Sequence, residues 1–366
     1  MTTAYSGDGI TFPDNSVQAT APRVGMVNRI INGDMRIDQR NAGASVTVTN
    51  GVQYTIDRYR TVAIGTSLGF SVQQSSTAPS GFANSLLATV TTAKAVASSD
   101  QTRIDQFVEG FNISDLGWGT ASATTVTLSF WVRSSVTGTY CVEIGNSTSP
   151  TRSYLAEYTI SSANTFEYKT IVIAGDTTGT WATGNSVGVA LSFVLGMGSA
   201  FNGSTGWQAG EKFQTTNQTQ WIANSGATFY ITGVQLEKGS TATDFEYVDY
   251  GRQLQMCQRY LPSWSSVSGT YFRGGQCYNT SNAIFILSYP VPPRVAATGV
   301  TSTGAFGVLN ANGSPLAATG GPNINGTGLG GLGVTFSVSS GLTAGNATNL
   351  SAYGGTAAIY GTGCEL

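Results

Sequence analysis

The chain has 366 residues, with 17 Lys and Arg against 19 Asp and Glu, no histidine and four cysteines. A net charge of −2 offers no basic footprint for a phosphate backbone, which excludes nucleic acid as a partner. The absent histidine removes imidazole acid–base chemistry, Ser-His and Cys-His dyads and the usual zinc ligands, and Cys141, Cys257, Cys277 and Cys364, without CxxC spacing, read as free buried thiols.

Forty-seven glycines among frequent Ser and Thr favour short strands and tight turns over long helices. The N-terminus has neither a basic segment nor an apolar one after it, and no apolar run approaches about 20 residues. The expectation is a chain made without export and without membrane insertion.

Residues 1–24 are rich in Gly, Ser, Thr and Pro, with Ile10, Phe12 and Val17 flanking the turn Pro13-Asp14-Asn15. So short a peptide buries too little surface to hold itself in place, and its apolar anchors predict a docking segment that orders on a partner. From residue 25 to 248 the pattern has period two. In VTLSFWV, Val126, Leu128, Phe130 and Val132 share one face while Thr127, Ser129 and Trp131 share the other. Val187, Val189, Leu191, Phe193 and Leu195 alternate in the same way. In TFYITGVQL the phase slips at Gly233, which predicts a bulge there. Such strands, separated by turn signals, specify an antiparallel β-sandwich.

A linker helix follows over residues 249–262. Tyr250, Leu254, Cys257 and Leu261 form one apolar stripe, Asp249 offers an N-cap, and Pro262 ends the helix. The stripe is available for packing against symmetry mates. Residues 263–366 return to strand-like runs between Gly- and Asn-rich loops, giving a second, sandwich-like C-terminal β-domain. Seven charges (Glu237, Lys238, Asp244, Glu246, Asp249, Arg252 and Arg259) lie within residues 234–260 and read as the solvated skin of the joint between two weakly charged bodies.

Two stretches carry a family likeness. NRIINGDMRIDQRNAG (28–43) followed by YTIDRYR (54–60) resembles the opening of bacteriophage tail-fibre-associated modules, and GVQLEKGSTATDFEY (233–247) is similar to their closing strand. RQLQMCQRYL (252–261) resembles the helix that follows it, and GDGITFPDNSVQ (7–18) resembles tail-fibre N-terminal segments. Asn15 and Tyr59 stand where that family more often has Gly and Trp. The resemblance implies a jelly roll like that of carbohydrate-binding modules, followed by a variable, receptor-binding C-terminal domain. It also implies a homotrimeric virion fibre or spike, joined to a phage tail or head adaptor through its N-terminus and facing a host surface glycan.

Sugar binding on β-sandwiches relies on aromatic faces stacked on pyranose rings, with polar groups serving the hydroxyls. The six tryptophans are 118, 131, 181, 207, 221 and 264. Trp118 and Trp207, set among glycines, are the first candidates, followed by Trp131 with Arg133 on its own side of the strand. Calcium, frequent in related jelly rolls, would draw on Asn32, Asp34, Asp244 and Glu246. Two carboxylates suffice for a glycosidase without histidine. Asp105 with Glu109 is one pair, and Glu237 with Asp244 or Glu246 another. No repeat of 20–30 residues marks a β-helix depolymerase, however, and RIDQFVEGF reads as an ordinary half-exposed strand. The expectation is therefore a non-enzymatic host-attachment protein of the virion without a required cofactor. A capsid decoration protein is the alternative, and a glycan-cleaving enzyme the more distant one.

Overall fold

The alternation over residues 25–248 becomes, in a computed structural model, two stacked antiparallel sheets. The structure describes residues 25–65 and 69–366. Before them it describes only the backbone of three short strands, β1 (Ala4–Ser6), β2 (Gly9–Thr11) and β3 (Val17–Gln18). The side chains of the docking anchors Ile10, Phe12 and Val17 thus lie outside the described residues.

The sandwich is built from β4 (Val46–Thr49), β5 (Gly51–Tyr54), β6 (Tyr59–Ile64), β7 (Gly69–Ser75), β8 (Ser85–Thr92), β9 (Gln101–Glu109), β10 (Val126–Ser134), β11 (Gly138–Gly145), β12 (Arg152–Ile160), β13 (Glu167–Ile173), β14 (Val187–Met197), β15 (Gly206–Ala209) and β16 (Thr228–Lys238). One sheet runs β13-β10-β16-β8-β7-β4 and the other β15-β12-β11-β14-β9-β6-β5. The predicted inward set Val126, Leu128, Phe130 and Val132 is fully buried between them. There Phe130 meets Phe193 at 5.1 Å and Tyr158 at 5.2 Å, ring centre to ring centre and edge-on. Each such side chain withdrawn from water contributes roughly 2–3 kcal/mol. The bulge also forms where it was read: pairing of β10 with β16 slips between Ser129 and Trp131, opposite a Gly233 held at φ +61°.

β9 departs from its half-exposed reading. It is buried on both faces, including Arg103, Asp105, Phe107 and Glu109. The outer face is covered by chain from outside the sheet: Arg103 stacks 4.3 Å from the centre of the Phe213 ring, and Glu109 is bound by Arg259 and Tyr260. Period two marks the faces of a strand, and only the course of the loops decides whether both are covered.

The linker helix is α1 (Tyr250–Gln258), and Asp249 caps it by accepting from the backbone N–H groups of Gly251 and Arg252. Its apolar stripe packs inward, a correction to the expected contact with symmetry mates. Cys257 is buried with Ile31, Ile37 and Tyr260, with Leu254 against them; Leu261 joins Ala358 and Tyr360; and Tyr250 is exposed. Beyond it lie β17 (Ser263–Ser266), β18 (Tyr271–Cys277), β19 (Asn282–Ser288), β20 (Gly299–Thr303), β21 (Phe306–Leu309), β22 (Pro315–Thr327), β23 (Gly331–Val338), β24 (Ala347–Ala352) and β25 (Ala357–Thr362). The second domain closes as a barrel, β18-β19-β23-β22-β21-β24, with β17, β25 and β20 forming a small sheet beside it. Closure leaves the barrel strands no unpaired edge.

The joint is solvated skin only in part: Lys238, Asp244, Asp249 and Arg252 are exposed, but other charges there are buried. Glu109 is buried beneath it and takes two hydrogen bonds from Arg259, at 2.7 and 2.9 Å, and one from the Tyr260 hydroxyl at 2.7 Å. The Arg58 guanidinium lies 3.5 Å over the Tyr260 ring. Arg294 binds the carbonyls of Cys364 and Glu365 as well as that of Asn185, and Arg40 pairs with Glu365 at 2.7 Å. Residues 364–366 thus reach back to the sandwich, where Tyr54 donates to the Leu366 carbonyl. Glu237 is likewise fully buried. All four cysteines are free and buried, as expected.

Candidate functional site

The outer face of the six-stranded sheet carries the site. Along β10 the outward positions are Ser129, Trp131 and Arg133, because the alternate positions fill the core. On β13 the outward Tyr168 and Thr170 pair with Trp131 and Ser129. The rings of Trp131 and Tyr168 stand 5.3 Å apart, forming one tilted aromatic wall.

Opposite them, Phe82 packs with Phe245 at 5.2 Å and with Tyr247 at 5.7 Å. The space between depends on Gly233. A Cβ there would fall 2.7 Å from the Phe82 ring and 3.1 Å from Trp131, and φ +61° disfavours any larger residue. The bulge therefore lets two aromatic groups approach the same point of the sheet. The resulting cleft has a volume of about 890 Å³, and residues 241–244 form one part of its lining.

Glu237 holds that stretch in place. It accepts from the backbone and hydroxyl of Thr243 at 2.8 and 2.7 Å and from Gln235 at 2.9 Å. Glu246 accepts from the backbone N–H of Asn28 at 2.7 Å. Of the three carboxylates proposed as a catalytic set here, only Asp244 lines the cleft. Burial raises the Tyr247 phenol, with the Asp34 charge adding to it. Arg133 lies beyond Trp131 on the same face, its guanidinium 5.0 Å from the Tyr230 ring centre and 5.7 Å from that of Phe166.

The other expected site residues are placed elsewhere. Trp118 does not point from its glycine loop but is buried at 6 % exposure, with Trp181 at 4.7 Å and Trp207 at 5.5 Å. Its indole donates to the Thr124 carbonyl, and that of the half-buried Trp207 to Ala174. The loops that carry Trp118 and Trp181 close against Trp207 on β15, so Trp118 presents no sugar-binding face. Trp221 is in the core, while Trp264 packs on Tyr289 in the second domain.

Asp105 pairs with Arg60 at 2.6 Å and Arg103 at 3.0 Å, and Glu109 belongs to the joint, so neither faces a cleft. The calcium set does not assemble. Asn32 is consumed by backbone contacts to Ile37 and Asp57, and Asp34 pairs with Arg36. Among the described residues no three His, Cys, Asp or Glu side chains are grouped to hold a metal.

The sequence analysis missed Phe82, Tyr168, Phe245 and Tyr247. Tyr168 was reachable from the alternation in EYKTIVI, but the far wall depends on residues 241–247 folding back across β16. A second concavity, about 710 Å³, lies on the barrel between Gly274, Gly275, Asn310, Asn346 and Asn349 and has no aromatic or charged lining. No helix among the described residues is long and apolar enough to cross a membrane.

No family model and no curated protein matches the sequence. Among solved structures, the enzymatically active domain of bacteriophage CBA120 tailspike protein 4 aligns at 12 % identity and TM-score 0.30, over 58 % of this chain and 22 % of that one. The family 11 carbohydrate-binding module of a Clostridium thermocellum cellulase aligns at 12 % identity and TM-score 0.28, over 55 % of this chain and 99 % of that one. A family 61 carbohydrate-binding module complexed with β-1,4-galactotriose aligns at 9 % identity and TM-score 0.26, over 50 % and 88 %. Likenesses this distant say nothing of ligand or activity for this chain.

Proposed function

We propose that this protein is a non-catalytic glycan-binding subunit of a bacteriophage tail fibre or spike, and that the cleft between Trp131–Tyr168 and Phe82–Tyr247 is where it holds the glycan. The observation that carries the binding role is that cleft: two aromatic walls on a rigid sheet, with Ser129, Thr170, Thr243 and Asp244 between them as hydroxyl partners. Aromatic faces supply apolar contact to sugar C–H surfaces, while the few polar groups fix orientation. Asp105, Glu109 and Glu237 are each occupied by arginine or amide donors, which supports binding without cleavage. The phage role, with virion location, N-terminal attachment to an adaptor and homotrimer formation, rests on the sequence likeness at residues 7–18, 28–60 and 233–261. Binding in this reading is weak per subunit and multiplied by avidity.

The binding role is tested by electrophoresis of the full chain through native gels containing bacterial surface polysaccharides. A retained wild type and a Trp131→Ala protein weakened about 30-fold or more, with unchanged circular dichroism, is the expected result. Equal retention of the two proteins would move the ligand away from this cleft. Light scattering at micromolar concentration should give three times the 38.0 kDa chain mass; a monomer would remove the trimer.

A further inference from the structure

Arginine and lysine side chains in this protein are mostly neutralised. Arg29, Arg36, Arg40, Arg60, Lys94, Arg103, Arg152, Lys169, Lys238 and Arg259 each pair with a carboxylate. Arg133, like Arg58, Lys212, Arg252, Arg273 and Arg294, is not in such a pair, and of these it is the one on the outer face beside Trp131. Among the described residues its guanidinium has no carboxylate partner, and its Nε is buried without a hydrogen-bond acceptor.

It is nevertheless held in place. Tyr230 and Phe166 flank it at 5.0 and 5.7 Å, so ring contacts restrain the side chain and leave its in-plane N–H donors uncommitted. The nearby charges of β13 face the other way: the Glu167 carboxylate accepts from the backbone of Ser161 and Ser162 and pairs with Lys169. An uncommitted guanidinium beside an aromatic wall is shaped for a planar anion, because its fork matches a carboxylate through two parallel hydrogen bonds.

The outer face is also polarised along β10. Asp244 lines the cleft near Ser129, where Gln235 reaches its backbone carbonyl. Arg133 lies just outside the cleft lining on the same face, two residues past Trp131 and four past Ser129, or about 13 Å of extended strand from Ser129. Trp131 stands between them. Resting on the glycan-binding reading and narrowing it, we infer that the ligand is an acidic saccharide whose carboxylate seats on Arg133 while its ring stacks on Trp131. The neutral, hydroxyl-bearing part of the chain then extends toward Thr243 and Asp244, which keeps the ligand carboxylate away from the Asp244 charge.

The test uses full-length protein in affinity gels containing polygalacturonate, hyaluronate or alginate, each matched with its carboxyl-reduced, neutral form. Wild type is expected to be retained by acidic polymer at least tenfold more strongly than by its reduced form, with the difference shrinking as salt rises. Arg133→Gln should erase the difference while keeping the residual neutral binding. Arg133→Lys should restore part of it, since it keeps the charge and loses the fork.

Equal retention of acidic and reduced polymers by wild type overturns the acidic ligand and leaves the glycan cleft standing. Preference for acid that survives Arg133→Gln but is lost in Trp131→Ala overturns the role of Arg133 alone. Retention by none of the six polymers overturns this inference, and the bacterial polysaccharide gels then decide the broader reading separately.

Discussion

The sandwich and the barrel bury their polar chemistry differently. Arg60, Arg103 and Asp105 lie together beneath the covering loops of the sandwich, and Glu109 extends that buried charge into the joint. Residues 263–366 hold only three ionisable Lys, Arg, Asp or Glu side chains, Arg273, Arg294 and Glu365, and the last two belong to the joint. The barrel core is carried by apolar side chains such as Phe285, Phe336 and Leu350, all fully buried. A closed barrel satisfies its backbone polar groups around the ring. The sandwich has loops folded over its sheets, and their polar groups need partners inside. Buried pairs of this kind are costly to break from one side and add little net stability when intact. The difference teaches where sensitivity to pH should lie: in the sandwich and joint, with the barrel indifferent.

The largest expected effect separates the two domains. Phe285→Ala removes a barrel core ring and should cost about 3–5 kcal/mol. Five of the six tryptophans lie in the sandwich, so fluorescence reports mainly that domain. Near-UV circular dichroism from the barrel tyrosines should be lost at lower denaturant than the fluorescence signal. Coincident loss would show that the joint makes the chain one cooperative unit.

A smaller effect concerns pH. Burial raises the Glu365 carboxyl to about 7 despite Arg40, and Asp57 to about 6 despite hydrogen bonds from Gln39. Both folded values lie above the ordinary ones, so the fold favours the protonated forms. Their contribution is complete below the unfolded values and disappears as pH rises through 6 and then 7. Glu109 acts in the opposite direction. Burial raises it, but the hydrogen bonds from Arg259 and Tyr260 and the Arg259 charge outweigh that and hold it below its usual value, so its contribution is lost only in acid. Between pH 5 and pH 8 the joint should therefore weaken by up to about 3 kcal/mol per group. Calorimetry of wild type should show a lower melting temperature at pH 8, and Glu365→Gln should flatten the difference. A melting temperature that rises over that interval would reverse this account.

The smallest effect tests the helix between the domains. Asp249→Ala removes two capping hydrogen bonds and should cost about 1 kcal/mol, read as a shift in the urea midpoint with an unchanged slope. No shift would mean that packing of Cys257 and Tyr260 alone holds the helix.

Much of the local architecture was legible in the sequence. The inward series Val126 to Val132, the bulge at Gly233 and the cap at Asp249 follow from local rules, because side-chain alternation, positive φ and orphan helix N–H groups belong to a few neighbouring residues. The misread residues share another cause. Trp118 looks exposed in LGWGT, yet Trp181 from a distant loop and Trp207 from β15 bury it. The stripe of α1 is real, but its partners are Ile31 and Ile37, more than two hundred residues earlier. Half of the cleft was readable on β10; the wall made by Phe82, Phe245 and Tyr247 was not, since it joins chain segments on either side of the sandwich.

By itself the sequence determined the all-β class, the order of sandwich, helix and second β-domain, and the absence of imidazole chemistry. Periodicity and residue type act over a few positions and survive any arrangement of the rest. Only the tertiary structure decided which faces stay open, which charges are paired, and that the half-buried Trp131 lines a cleft with Arg133 beside it on the same face. Those outcomes depend on how long loops close over sheets, and no short-range pattern encodes that closure.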